Sequence, residues 1–288
     1  LTLGAGGCAS LRRHKAPLDS VATCRQLSRD GIAALERGDP NQARTLLEQA
    51  VAASPSDLDA RRQLADVLWQ TGSRQEAAVH IEAAVRLEPR HAPTVVRSGE
   101  MLLGLGAVNR AQTRAEEAIA LDPTLAEAWA LRGRVFKQRG DPERALADLQ
   151  QALRFDSQAA DVLVDAAELQ LQLGRPQRCL TTVQQAVERS TQGPESRRAY
   201  WVSGLAYRAV NRPEDAVASL AAASDCGAPN AELLYELASA QQAAGRPEEA
   251  TATVRLALAA DSEHGPSRAL MARLARAEAP GAEATLRR

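Results

Sequence analysis

The sequence predicts an all-α chain of repeated helical hairpins, and three observations carry that expectation. Glycines fall at Gly38, Gly72, Gly106, Gly140 and Gly174, each 34 residues after the last. Alanines keep the same step twice over, at Ala43, Ala77, Ala111 and Ala145 and again at Ala50, Ala84, Ala118, Ala152 and Ala186, and so do Pro55, Pro89 and Pro123. The composition agrees, being 45% hydrophobic but only 3% aromatic. Alanine supplies much of the apolar content and has the best helix propensity, while strand-like runs of Val, Ile, Thr and Tyr are missing.

Taken in order, the period divides the chain into seven units at residues 24–57, 58–91, 92–125, 126–159, 160–193, 197–230 and 231–264. The first helix of each carries a small residue: Gly31, Ala65, Gly99, Gly133, Ala167, Gly204 and Ala238. The second helix offers the alanine series, with Cys179 taking its turn and Ala216 and Ala250 continuing it. Small residues facing small residues let the two helices approach closely. Larger groups such as Leu47, Leu64, Ile81, Trp129, Phe136, Leu149, Tyr200 and Tyr207 fill the flanks.

The turns read the same way. Gly38-Asp39-Pro40 and Gly140-Asp141-Pro142 combine a left-handed stop, an amide cap and a first helical residue. Between the fifth and sixth units the step lengthens from Gly174 to Asn211, so three extra residues enter; the turn-rich Ser190–Ser196 stretch is the expected place. Ser267–Ala277 reads as a capping helix that covers the last apolar face. The cap is placed at 265–277 and a flexible tail at 278–288.

Trp129 to Gly133, then Phe136, Gly140, Ala145, Leu149 and Ala152, follow the aromatic, small, aromatic, glycine, alanine, alanine order of the tetratricopeptide repeat. The chain resembles that family over about five-sixths of its length. The resemblance implies a right-handed α-solenoid of about seven hairpins plus a cap, working as a protein-interaction scaffold. In this family the first helices line a concave groove. The matching places here include Arg62, Asp66, Trp69, Arg134, Lys137, Trp201, Arg208 and Tyr235, which become the expected partner-binding residues. Arg25, Asp59, Glu100, Leu103, Glu168, Leu171 and Arg198 occupy equivalent places. Trp69, Trp201 and Tyr235 serve either as partner anchors, because rigid aromatics dominate interface energies, or as packing against the neighbouring first helix. Some members clamp a chaperone's terminal carboxylate with paired Lys and Asn; the corresponding places hold Ser28 and Ile32, Arg62 and Asp66, or Ala130 and Arg134, so no such clamp is expected.

Leu1–Ser10 resembles the end of a bacterial lipoprotein signal peptide. Gly6 and Gly7 suit the small places before Cys8, which the resemblance makes the lipidated residue, although Ala5 departs from the usual leucine. Residues 1–22 are therefore expected to be a signal remnant and flexible tether. Membrane association is expected only through a lipid anchor at Cys8, and the expected location is the bacterial cell envelope, the alternative being the cytoplasm.

Catalytic signatures are missing. There is no phosphate-binding loop, no HExxH and no nucleophile elbow. The cysteines Cys8, Cys24, Cys179 and Cys226 form no CxxC pair, and His14, His80, His91 and His264 are dispersed, His80 and His91 being expected in solvent. With 35 basic and 36 acidic residues, no long-range field gathers nucleic acid. No catalytic residue, metal or cofactor is expected. The expected function is a non-catalytic scaffold holding a protein or peptide in the groove, lipid-anchored in the envelope. The rival is a soluble intracellular adaptor, or the regulatory arm of a larger enzyme such as a protein O-glycosyltransferase.

Overall fold

Each repeat sequence contains one stop and one restart, and the backbone shows how both are made. At the stop, Gly38, Gly72, Gly106, Gly140, Gly174 and Gly245 have φ between +69° and +87°, which costs a residue without a Cβ little. At Gly140 its amide donates to the Lys137 carbonyl and the Asp141 amide to the Phe136 carbonyl, satisfying groups the helix end leaves open. Asn211 takes the same conformation (φ 58°) in the sixth hairpin, which its short polar side chain tolerates better than most. At the restart, Asp39 accepts a hydrogen bond from the Gln42 amide at 2.9 Å and Asp141 from that of Arg144 at 3.2 Å, with Pro40 and Pro142 opening the helices.

The computed structural model describes residues 17–189 and 194–278. Among them are fifteen α-helices: α1 (Pro17–Glu36), α2 (Pro40–Ala53), α3 (Leu58–Gln70), α4 (Arg74–Leu87), α5 (Ala92–Gly104), α6 (Val108–Leu121), α7 (Ala126–Gln138), α8 (Pro142–Phe155), α9 (Ala160–Gln172), α10 (Pro176–Arg189), α11 (Pro194–Ala209), α12 (Pro213–Asp225), α13 (Ala231–Ala243), α14 (Pro247–Ala260) and α15 (Gly265–Glu278). Consecutive helices pair into seven hairpins, and α15 packs on α13 and α14 as the cap. Helices α1–α6 belong to one unit, ending at Pro123, and α7–α15 to a second, beginning at Thr124.

In the first unit Ala34, Ala43, Leu47, Leu64, Leu68, Ala77, Ile81 and Met101 form the main cluster. In the second, Phe136, Ala145, Leu149 and Leu169 begin a series of clusters that ends at Leu270 and Leu274 of α15, packed on Ala238, Ala250 and Val254. Trp129, Tyr200 and Tyr207 are partly buried against these clusters.

Four features differ from the sequence expectation. Helix α1 begins at Pro17, inside the stretch expected to be a tether, so part of residues 1–22 extends the first helix. Pro194–Ser196 are helical: α11 has 16 residues where α9 has 13, so the three extra residues become one more helical turn. The small residues of first helices meet leucines as much as alanines. A Cβ at Gly133 would lie 3.0 Å from Leu149 Cγ and 3.1 Å from the Ala145 carbonyl oxygen, because a helical side chain leans over the preceding turn. Finally, His80 and His91 are not free in solvent. His80 is half-buried, burial holding its imidazole below the ordinary value, and His91 caps α5, its ring accepting from the Thr94 amide at 3.3 Å. Cys8, residues 190–193 and the tail from 279 lie outside the described residues.

Candidate functional site

First helices of successive hairpins lie side by side in the second unit, where α7 touches α9 and α9 touches α11. Six charged side chains meet there. Arg134 donates through Nε to Asp165 Oδ2 at 2.8 Å and through Nη2 to Asp161. Lys137 reaches Asp165 Oδ1 at 3.2 Å and also Glu168. From the other side Arg198 donates to Asp165 Oδ1 at 3.0 Å and to Glu168 Oε1 at 2.8 Å. Three cations thus face three carboxylates, and the group is locally neutral.

Asp165 is the centre of this network, with its side chain only 7% exposed. Burial alone would push its carboxyl up. The charges of Arg134 and Lys137 and the hydrogen bonds from Arg134 and Arg198 outweigh that and hold it below its usual value. The same attraction strengthens the Arg134 guanidinium's hold on its proton, against the desolvation that opposes it. Every member is paired, so the network fixes the alignment of three first helices.

Beside it opens a cleft of about 500 Å³ lined by Leu171, Trp201, Val202 and Leu205, with Glu168 and Arg198 at its edge and Gln172 beside them. Its walls are mostly hydrocarbon and indole, and its rim carries one charge of each sign. That combination of apolar body and few polar groups is what ligand sites share. Of the expected partner-binding residues, the structure brings Arg134, Lys137 and Trp201 into this one area, together with Glu168, Leu171 and Arg198.

The others lie apart. Trp69 is partly buried on the first unit's core. Its ring approaches α5 closely enough that a Cβ at Gly104 would stand 2.7 Å from Trp69 Cζ2, and the Arg74 guanidinium lies 5.4 Å from its centre. Asp66 accepts from Arg97 Nε at 2.7 Å, and Arg62 lies 3.5 Å from Asp59. Arg208 pairs with Glu236. Tyr235 packs on the last cluster and meets the His264 ring edge-on, centroids 5.8 Å apart.

The repeat register is now explicit at every level: stop, cap, small-residue crossing and ion pairs between equivalent places. Tetratricopeptide repeat profiles match residues 29–92, 97–160 and 203–264, and a second such profile matches 137–200. The chain belongs to the tetratricopeptide repeat family. Its members are generally protein-interaction scaffolds. Among solved structures, the chain is similar to pilF of Pseudomonas aeruginosa at 19% identity and a TM-score of 0.61, over 72% of this chain and 93% of that one. A tetratricopeptide repeat protein from Parabacteroides merdae is similar at 16% identity, with a TM-score of 0.62 over 88% and 98% of the two chains. A chain of the APC/C hetero-tetramer Cut9–Hcn1 gives a TM-score of 0.75 at 15% identity, over 90% of this chain and 52% of that one. These likenesses concern the fold. No curated protein matches the sequence.

Asp161, Asp165, Gln172, Val202 and Leu205 were not among the residues expected at the site. A signal for Asp165 does exist in the tetratricopeptide register. The ninth place of one unit meets the sixth place of the next, as in Asp66 with Arg97 and Arg134 with Asp165. Opposite charges at those two places are therefore readable as inter-hairpin pairs.

Among the described residues no group of three or more His, Cys, Asp or Glu is placed to hold a metal ion. Cys24 and Cys179 are buried. Burial, with a smaller push from Glu168, takes the Cys179 thiol up to about 12, which removes the nucleophilic thiolate at neutral pH. Among the described residues no helix is long and apolar enough to cross a membrane.

Proposed function

We propose that this chain is a non-catalytic scaffold that holds a protein or peptide partner against the first-helix face of α9 and α11. The observation that carries the reading is the apolar cleft at Trp201, set beside a charge network that is already satisfied. A large apolar side chain of the partner enters between Leu171, Trp201 and Leu205 and leaves water. Arg198 and Glu168 at the rim orient its polar groups. Because Arg134, Lys137 and Arg198 are held by carboxylates, the surface is presented in one arrangement before the partner arrives, which lowers the cost of ordering it.

The test is affinity capture from the native host with the unaltered chain, Leu171→Glu and Trp201→Ala. The partner should be retained by the first and lost by both variants, with helical signal and melting temperature measured alongside because Leu171 also packs partly on the core. Retention of the same partner by both variants would sink the cleft reading.

For location, the proposal is a bacterial envelope protein lipidated at Cys8, supported by the Gly6-Gly7-Cys8 sequence. Intact-mass analysis of the full-length protein from its bacterial host should give a chain starting at Cys8 with added acyl groups, lost in Cys8→Ala. An unacylated soluble chain would instead favour an intracellular adaptor.

A further inference from the structure

Seven copies of one hairpin supply an internal control for every surface position. On the solvent side of the second helices, one place two residues after the crossing alanine is occupied by Thr45, Thr113, Ala147, Thr181, Ala218 and Ala252, all exposed. In the second hairpin that place holds Val79, a branched aliphatic side chain that is 64% exposed. Where threonine stands there, its hydroxyl donates to the carbonyl one turn back, as Thr45 does to Asn41 and Thr113 to Asn109. Nothing in the hairpin requires an apolar group at this point.

Val79 lines a notch of about 360 Å³ on α4, together with Ala78 of the same helix and Leu105 from the end of α5. Glu82, Arg86 and Arg110 surround it. The carboxylate of Glu82 is taken up by Arg114 at 2.8 Å and lies 3.6 Å from Arg110. Arg86 is exposed and makes no ion pair with a described residue, and the Arg110 side chain is 65% exposed. The charge left uncompensated at the rim is positive. A second notch of about 370 Å³ opens farther along the same α4–α6 seam, between Val85, Pro89, Ala120 and Leu121.

We infer that the α4–α6 seam is a second docking surface, and that its occupant is an acidic segment of a protein partner carrying an aliphatic side chain. The aliphatic group fills the Val79–Leu105 notch, and flanking carboxylates meet Arg86 and Arg110. This surface lies on second helices of the first unit. It is separate from the α9–α11 cleft and does not depend on it.

The probe is a synthetic peptide with a central leucine between glutamates, compared with the same peptide carrying lysines in their place. Binding is followed by amide shifts in NMR spectra of the full chain, up to millimolar peptide at low salt. The glutamate peptide should shift resonances of α4, Leu105 and the start of α6, and the lysine peptide should not. Val79→Thr, which installs the residue of three sister hairpins, should weaken binding about tenfold by removing apolar contact. Arg86→Glu should weaken it at least as much, by about tenfold or more, through like-charge opposition. No shifts at millimolar peptide, equal binding of the two peptides, or affinities unchanged in both variants would each overturn the inference. Shifts confined to α9 and α11 would overturn it too while leaving the cleft proposal standing.

Discussion

At Gly204 a methyl group would stand 2.5 Å from Leu220 Cγ, a separation at which either the leucine or the helix must move. Gly204→Ala is therefore expected to destabilise the protein by about 1–3 kcal/mol, the usual cost of overpacking a filled core. Gly38→Ala meets no neighbour and loses only through its positive φ, at about 1–2 kcal/mol. Thermal melts in a double-mutant cycle separate these causes: Gly204→Ala should cost less in a Leu220→Ala background than alone, and Gly38→Ala the same in both. Full additivity of Gly204→Ala with Leu220→Ala would contradict the crossing described here. The glycines were legible in the sequence because they recur at one period. Which atoms they meet was not, since the lean of Leu149 and Leu220 over the preceding turn is a property of packed helices and leaves no mark on spacing.

Between helices, the Asp165 network gives the second unit a pH dependence with a definite sign. A carboxyl held below its ordinary value contributes stability that is fully present above the unfolded value of about 4. That contribution is lost as pH falls through the lower folded value. Asp165→Ala leaves Arg134, Lys137 and Arg198 facing one another with less compensation and should cost roughly 3 kcal/mol at neutral pH, as when one partner of a buried pair is removed. The variant should also show a shallower stability loss on acidification than the unaltered protein. Denaturant titrations from pH 7 to pH 3 check both statements, and parallel acid profiles for the two proteins would refute the assignment. The hairpin joints were legible through the Gly, Asp and Pro that make them. The network was only half visible, because Arg134 and Asp165 are 31 residues apart in sequence and meet only once neighbouring hairpins are placed. The start of α1 at Pro17 was hidden by a run whose basic residues read as a tether.

At the scale of the whole chain, hairpins lean on their neighbours within each of the two units, and α15 closes the second by covering Ala250 and Val254 with Leu270 and Leu274. Leu270→Ala with Leu274→Ala should remove roughly 2–5 kcal/mol per leucine from that contact. Because solenoid stability is a sum of local terms, hydrogen exchange should quicken in α13–α15 and stay as it was in α7 and α8; a uniform loss of protection would contradict this. The number of repeats and the absence of strand patterns were plain from period and composition. The proposed partner surfaces were not, since they rest on departures from the repeat, such as Val79 and the Trp201 cleft, that the shared frame does not dictate. The proposed partner surface is the first-helix face at Trp201. Hydrogen exchange of the chain alone and with its captured partner tests it most directly. Protection should rise in α9 and α11 around Leu171, Trp201 and Leu205. Unchanged exchange in those two helices, with protection gained elsewhere, would contradict it.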